Sequence, residues 1–181
     1  KGSIRCRMQE RGKADVDNEI LLKLYSLYQK ELYLYLYSLC GDRHLAEDLL
    51  HETFLKALLA LPEGHTNMRA WLYMVARNLF YNQWKKNSRE ILMEKQEDYP
   101  ERKTDEDLLK KILEEENRRA LYQAIRRLEI KKREVIQMQY FGGMSQKEIA
   151  AVLQITPENV RVLAYRAKKE LKKYLEKEGI K

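Results

Sequence analysis

The chain is poor in the residues that punctuate turn-rich folds: 3 Pro and 7 Gly in 181 positions. That argues against a β-sandwich, which needs a turn every few residues. It holds two cysteines, Cys6 and Cys40. These cannot build a disulfide framework, and they suit a reducing cytoplasm. No stretch approaches the ~20 apolar residues of a membrane span. The start, Lys1 to Lys13, is polar and basic, without the apolar centre of a secretory signal, and reads as a ragged terminus or an expression-vector remnant. Cys40, His44 and His51 match no zinc-ligand spacing, so no metal is expected. No glycine-rich phosphate loop and no nucleophile beside a base is present. The expectation is therefore a cytoplasmic protein that is not an enzyme and needs no cofactor.

What the chain does have is charge and helix formers. Charged residues make up 35 % and apolar residues 44 %, enough for packed cores. Leu, Lys, Glu, Arg and Ala dominate, and all favour helix. The net charge of +7 is unevenly spread. Residues 1–90 carry 14 basic and 11 acidic side chains, residues 91–116 carry 5 and 10, and residues 117–181 carry 16 and 7. An acidic connector thus separates a nearly balanced block from a strongly basic one. A basic block suits a polyanion, either nucleic acid or an anionic membrane surface. A merely solubilising lysine-rich surface is the simpler alternative.

Apolar spacing of three and four predicts helices over 17–40, 42–61 and 67–88, with Gly41 as a C-cap and Asp42 as an N-cap. Pro62 to Thr66 reads as a loop. The segment around Pro100 reads as a linker. A helix capped by Thr104 is expected to run to Leu128, and another from Lys131 to Phe141, ended by Gly142-Gly143. The fold class is all-α: an N-terminal helical bundle over 17–90 and a C-terminal helix-turn-helix domain over 117–178, joined by a flexible acidic linker over 91–116.

The last two helices carry the clearest local signals. Ser145-Gln146-Lys147-Glu148 is a complete capping-box pattern. Thr156 then caps a second helix with Pro157 at its first position, where a missing N–H costs nothing. A short capped helix, a tight turn and a longer basic helix make the helix-turn-helix plan. Val160, Leu163, Ala167 and Leu171 form the buried stripe of the second helix. Arg161, Val162, Tyr165, Arg166, Lys168 and Lys169 lie off it and can meet a major groove. Arginines pair with guanine edges, while Lys168 and Lys169 suit phosphates. An ordinary basic surface helix is the alternative. Earlier in the chain, Trp71 to Arg89 interleaves five aromatics with four basic residues and no acid, a mixture suited to single-stranded nucleic acid. For Trp71 and Phe80, core packing is the better reading. Asn78 stands out, because its amide can pair with a base edge.

Three stretches resemble a known family. Ala46-Glu47-Asp48-Leu49-Leu50-His51-Glu52-Thr53-Phe54 is similar to "AEDLVQETF". Arg69 to Asn78 (RAWLYMVARN) is similar to "RAWLYRIARN". Tyr140 to Ala150, followed by Val160 to Lys168, is similar to "F-G-S-EIA" and "VKSRLYRAR". Residues 28–88 and 117–176 therefore resemble the two domains of bacterial extracytoplasmic-function sigma factors, a subgroup of the sigma-70 family. The resemblance implies promoter-specific initiation with core RNA polymerase, through its β′ clamp helices and β flap, and control by an anti-sigma factor. It implies that Asp48, Leu49 and Glu52 meet the clamp helices, with Phe54 in the core. The loop from Leu61 to Met68, with Asn78, would receive a base flipped from the −10 element, and Lys85 and Lys86 would hold the backbone nearby. Arg161, Val162, Tyr165 and Arg166 would read the −35 duplex. The acidic linker would thread through the polymerase as a nucleic-acid mimic or as a solvated tether.

Three departures from the pattern stand out: His51 replaces a Gln, Val162-Leu163 replaces Ser-Arg, and Met68 stands where an aromatic is frequent. A helix-turn-helix regulator acting without polymerase is one rival reading, but it leaves residues 20–88 unexplained. A helical protein-interaction module is another, but it has no use for the basic helix pair.

Overall fold

The structure is a computed structural model and describes residues 22–60, 67–91 and 116–177. Among these residues all regular structure is helical. Helix α1 covers 22–40 and buries Leu32, Tyr35, Leu36 and Leu39. It stops at Gly41, whose φ of +72° is cheap only without a side chain, and whose N–H donates to the Tyr37 carbonyl at 2.9 Å. Asp42 caps α2 (Arg43–Ala60) by accepting from the Leu45 N–H at 3.0 Å. Helix α3 (Met68–Ile91) begins on Asn67, whose side-chain oxygen accepts from the Ala70 N–H at 3.0 Å. The expected loop before it, Pro62 to Thr66, lies outside the described residues.

The second half contains α4 (Glu116–Arg127), α5 (Ile130–Ile136), α6 (Gln146–Leu153) and α7 (Pro157–Lys177). Thr104 and the linker around Pro100 lie outside the described residues. The helix expected over 131–141 departs from its simple reading. Its last turn, Gln137–Phe141, widens to a π-helix in which the Gly142 N–H reaches the Gln137 carbonyl at 3.0 Å. Widening the turn leaves the Met138 carbonyl to accept from the Met144 N–H at 3.0 Å, and Gly143 at φ +58° then turns the chain into α6.

The two halves do not stand apart. One apolar cluster contains Leu36, Leu72 and Tyr73 from the first half and Val135, Met138 and Ile149 from the second. Tyr122 of α4 donates to the Leu34 carbonyl at 2.8 Å and stacks on Tyr37, with ring centroids 5.7 Å apart. Arg133 donates to the carbonyls of Ser38, Arg126 and Leu128, tying the α4–α5 corner to the end of α1. A smaller cluster, including Ile125, Leu128, Ile136 and Leu171, belongs to the second half alone.

Candidate nucleic-acid interface

The helix-turn-helix forms as its caps dictate. The Ser145 hydroxyl accepts from the Glu148 N–H at 3.3 Å, and the Glu148 carboxylate accepts from the Ser145 N–H at 2.6 Å. These bonds to the charged carboxylate hold its pKa below the ordinary glutamate value. Helix α6 ends on Gln154, in a left-handed conformation at φ +55°. Thr156 accepts from the Asn159 N–H at 3.3 Å and starts α7.

Val160, Ala164, Ala167 and Leu171 then face inward. Leu163, placed by its spacing in the buried stripe, is half-buried, and Ala164 takes the inner position. Arg161, Val162, Tyr165, Arg166, Lys168 and Lys169 are all exposed. None of the four cations makes an ion pair among the described residues. Tyr165 is 66 % exposed, unusual for a large ring with no partner in the fold. Lys168 differs from Lys169 in one respect. It stands on the rim of an apolar groove of about 640 Å³ between α4, the π-turn and α7, walled by Leu121, Ile125, Ile136, Tyr140 and Phe141.

Helix α3 carries the single-strand candidates. Asn78, Trp84, Lys85 and Lys86 are exposed, while Phe80 is buried and Trp71 and Met68 are half-buried. Of the expected pocket from Leu61 to Met68, only Asn67 and Met68 are described. The Asn67 amide donates to Glu148, so the start of α3 is tied to the cap of α6.

On α2, Asp48 and Glu52 point outward, whereas Leu49 is 4 % exposed and packs in the core beside Phe54. The outward apolar groups on this helix are Leu55, Leu58 and Leu59 instead. Apolar spacing alone does not single them out. Their signal was the run Leu55-Lys56-Ala57-Leu58-Leu59-Ala60-Leu61, which carries more leucine than one buried stripe can use. Cys40 is a half-buried thiol pushed up to about 11 by burial, which leaves it inert at neutral pH.

A polar hub that sequence reading missed joins the halves. Glu134 of α5 is fully buried. Its carboxylate accepts from Arg77 Nε at 2.9 Å, from the Tyr35 hydroxyl at 3.0 Å and from the Tyr81 hydroxyl at 3.4 Å. Burial raises the Glu134 pKa above the usual carboxylate value, although Arg77 and the hydroxyls oppose that rise. Burial likewise works against the Arg77 charge, but Glu134 together with Tyr35 and Tyr81 outweighs it and holds the guanidinium more firmly protonated. The signal in the sequence was an acid amid the apolar run Val135-Ile136 and Met138, where nothing local requires one.

Among the described residues no group of side chains could hold a metal ion, and no helix is long and apolar enough to cross a membrane.

Residues 24–90 match the model of sigma-70 region 2, and residues 118–171 match that of sigma-70 region 4. The chain is 31 % identical over 160 residues to RNA polymerase sigma factor YlaC of Bacillus subtilis, covering 85 % of this chain and 91 % of the relative. It is 28 % identical over 164 residues to the ECF RNA polymerase sigma factor SigM of the same organism, covering 83 % and 91 %. Among solved structures it is similar to the sigma factor RpoE of Bartonella quintana, crystallised with the anti-sigma factor NepR. That match has a TM-score of 0.66 and 26 % identity and covers 90 % of this chain and 97 % of that one. The fold of CnrH, solved with the cytosolic domain of CnrY, matches with a TM-score of 0.63 at 21 % identity, covering 94 % and 96 %.

Proposed function

The chain belongs to the extracytoplasmic-function sigma factors of the sigma-70 family, and on that premise we propose how its surfaces divide the work of starting transcription. The function is promoter-specific initiation: the protein binds core RNA polymerase and promoter DNA and directs one to the other. Sigma factors are binding proteins and not enzymes, and the proposal adds no catalytic step of its own to this chain. Its place of action is the cytoplasm, with the polymerase.

In the proposed division, residues 17–90 bind the polymerase and the −10 element, residues 91–116 connect, and residues 117–178 read the −35 element. The exposed carboxylates Asp48 and Glu52 meet the β′ clamp helices, with Leu55, Leu58 and Leu59 adding apolar area beside them. Leu49 supports that helix from inside. Asn78 pairs with the edge of a flipped −10 base, Met68 lines the same pocket, and Lys85 and Lys86 hold the strand. Arg161, Val162, Tyr165 and Arg166 face the bases of the −35 duplex, while Lys168 and Lys169 hold its phosphates. The apolar groove on the second half takes the β flap, and an anti-sigma factor competes for such surfaces.

One observation carries this reading. The exposed, unpaired cations lie on the second helix of a doubly capped helix-turn-helix, and the acid-free exposed face lies on a separate helix in the other half. Run-off transcription with purified core polymerase tests it. Transcription is expected only from a matched −10/−35 promoter. Asn78→Ala should impair promoter opening more than core binding, and Asp48→Arg should do the reverse. Tight binding of the free chain to a duplex operator, with no need for polymerase, would refute the reading.

A further inference from the structure

On the proposed function, positions −35 and −10 lie about 25 base pairs apart, roughly 85 Å at ~3.4 Å per pair. A compact chain of 181 residues has a radius of gyration of ~16 Å, so it is only about 40 Å across. In the packed form the two halves are in direct contact, with the Arg77 guanidinium 2.9 Å from Glu134. One packed molecule cannot reach both elements, so the halves must part on a promoter. Parting exposes whatever the contact between them hides.

Part of what it hides is chemically suited to a DNA strand. Arg77 directly precedes Asn78. Its guanidinium lies over the Tyr81 ring, 4.6 Å from the centroid. Arg77, Tyr81, Trp84 and Lys85 stand at i, i+4, i+7 and i+8, which is one face of α3. Trp84 and Lys85, at the far end of that stripe, are already exposed. At the near end a carboxylate takes two charge-assisted bonds that a phosphate oxygen could take equally well, one from Arg77 and one from the Tyr81 hydroxyl.

We propose that Arg77 and Tyr81 are a second single-strand contact of α3, occupied by the Glu134 carboxylate in the packed form and handed to a DNA phosphate and base when the halves part. The proposal rests on the reading of α3 as the single-strand helix. It assigns Glu134 the role of an internal stand-in for the DNA backbone. Sequence-independent contact follows, because a phosphate and a ring face are common to every nucleotide.

The test uses the full chain and a labelled dT20 strand, followed by fluorescence anisotropy at low salt. Glu134→Gln removes the competing charge and should tighten dT20 binding about tenfold, the worth of one charge-assisted bond. The double variant Glu134→Gln with Arg77→Ala should lose that gain. A measurement without substitutions guards against misfolded variants: saturating dT20 should speed hydrogen exchange of the α5 amides in the wild-type chain, since the strand binds only parted halves. Either no gain from Glu134→Gln, a gain that survives loss of Arg77, or unchanged α5 exchange overturns the proposal. Lys85→Ala with Lys86→Ala separates the two levels. If that pair weakens dT20 binding while Glu134→Gln changes nothing, only the present inference falls. If neither matters, the single-strand reading of α3 falls with it.

Discussion

Gly142 offers a measurable handle on the contact between the halves. Its backbone, at φ −84° and ψ −9°, suits any residue, so an added methyl meets no conformational strain. The obstacle is space. A Cβ there would lie 2.7 Å from the Tyr73 hydroxyl, 2.8 Å from the Met138 carbonyl and 3.0 Å from Tyr73 Cζ. Overpacking of this kind costs about 1–3 kcal/mol. Replacing Gly with Ala recovers about 0.4–1 kcal/mol by restricting the unfolded chain. Gly142→Ala should therefore destabilise the protein by about 1–2 kcal/mol. Tyr73→Phe acts in the opposite direction. The Tyr73 hydroxyl is buried with no hydrogen-bond partner, and burial drives its pKa well above the ordinary tyrosine value. Removing an unpaired buried hydroxyl should stabilise by about 1 kcal/mol. The double variant should recover more than the sum, since the nearest clash has gone while the Met138 carbonyl still crowds the methyl. Urea unfolding followed by Trp71 and Trp84 fluorescence measures all three. Effects that add within about 0.5 kcal/mol would refute the argument that this glycine exists to admit Tyr73 from the other half.

Three further outcomes follow from the same geometry. Ser145→Ala should cost about 1 kcal/mol in a thermal melt and lose the two-sided cap. Combining it with Glu148→Gln should cost less than the two singly added. The raised Glu134 pKa means that the packed form holds this proton more tightly than the unfolded chain does. Its contribution is thus fully present below about 4.5 and is lost as pH rises through the raised value. Wild type should lose stability relative to Glu134→Gln across that window, and a flat difference would count against burial as the dominant cause. Tyr140 is 54 % exposed on the wall of the apolar groove. Tyr140→Ala should weaken capture of core polymerase several-fold in a pull-down and leave the melting temperature nearly unchanged.

Much of the site was legible because its signals are local. Gly41, Asp42, Ser145, Glu148 and Thr156 each act within three or four residues, and each takes the capping role its sequence neighbours imply. The outward set on α7 follows from helical period once the buried stripe is known. Leu49 shows where such reasoning stops. A family motif marks the stretch that carries it, but only packing decides which side of α2 turns to the core with Phe54, which meets Tyr25, and which faces out. The widened turn at Gln137–Phe141 was equally out of reach, since it ends at Gly142, where the chain meets Tyr73 of the other half.

By itself, then, the sequence determined the helices, their order, the helix-turn-helix and the family, because capping and periodicity are properties of neighbouring residues. The tertiary structure alone decided that the two halves share a core and that an acid on one half holds an arginine on the other. Glu134 and Arg77 are 57 positions apart, and Glu134 and Tyr35 are 99 apart. No spacing rule spans such distances. What selects these partners is burial: a carboxylate removed from water must find a cation and hydroxyls, and only the folded chain brings them within 3.4 Å.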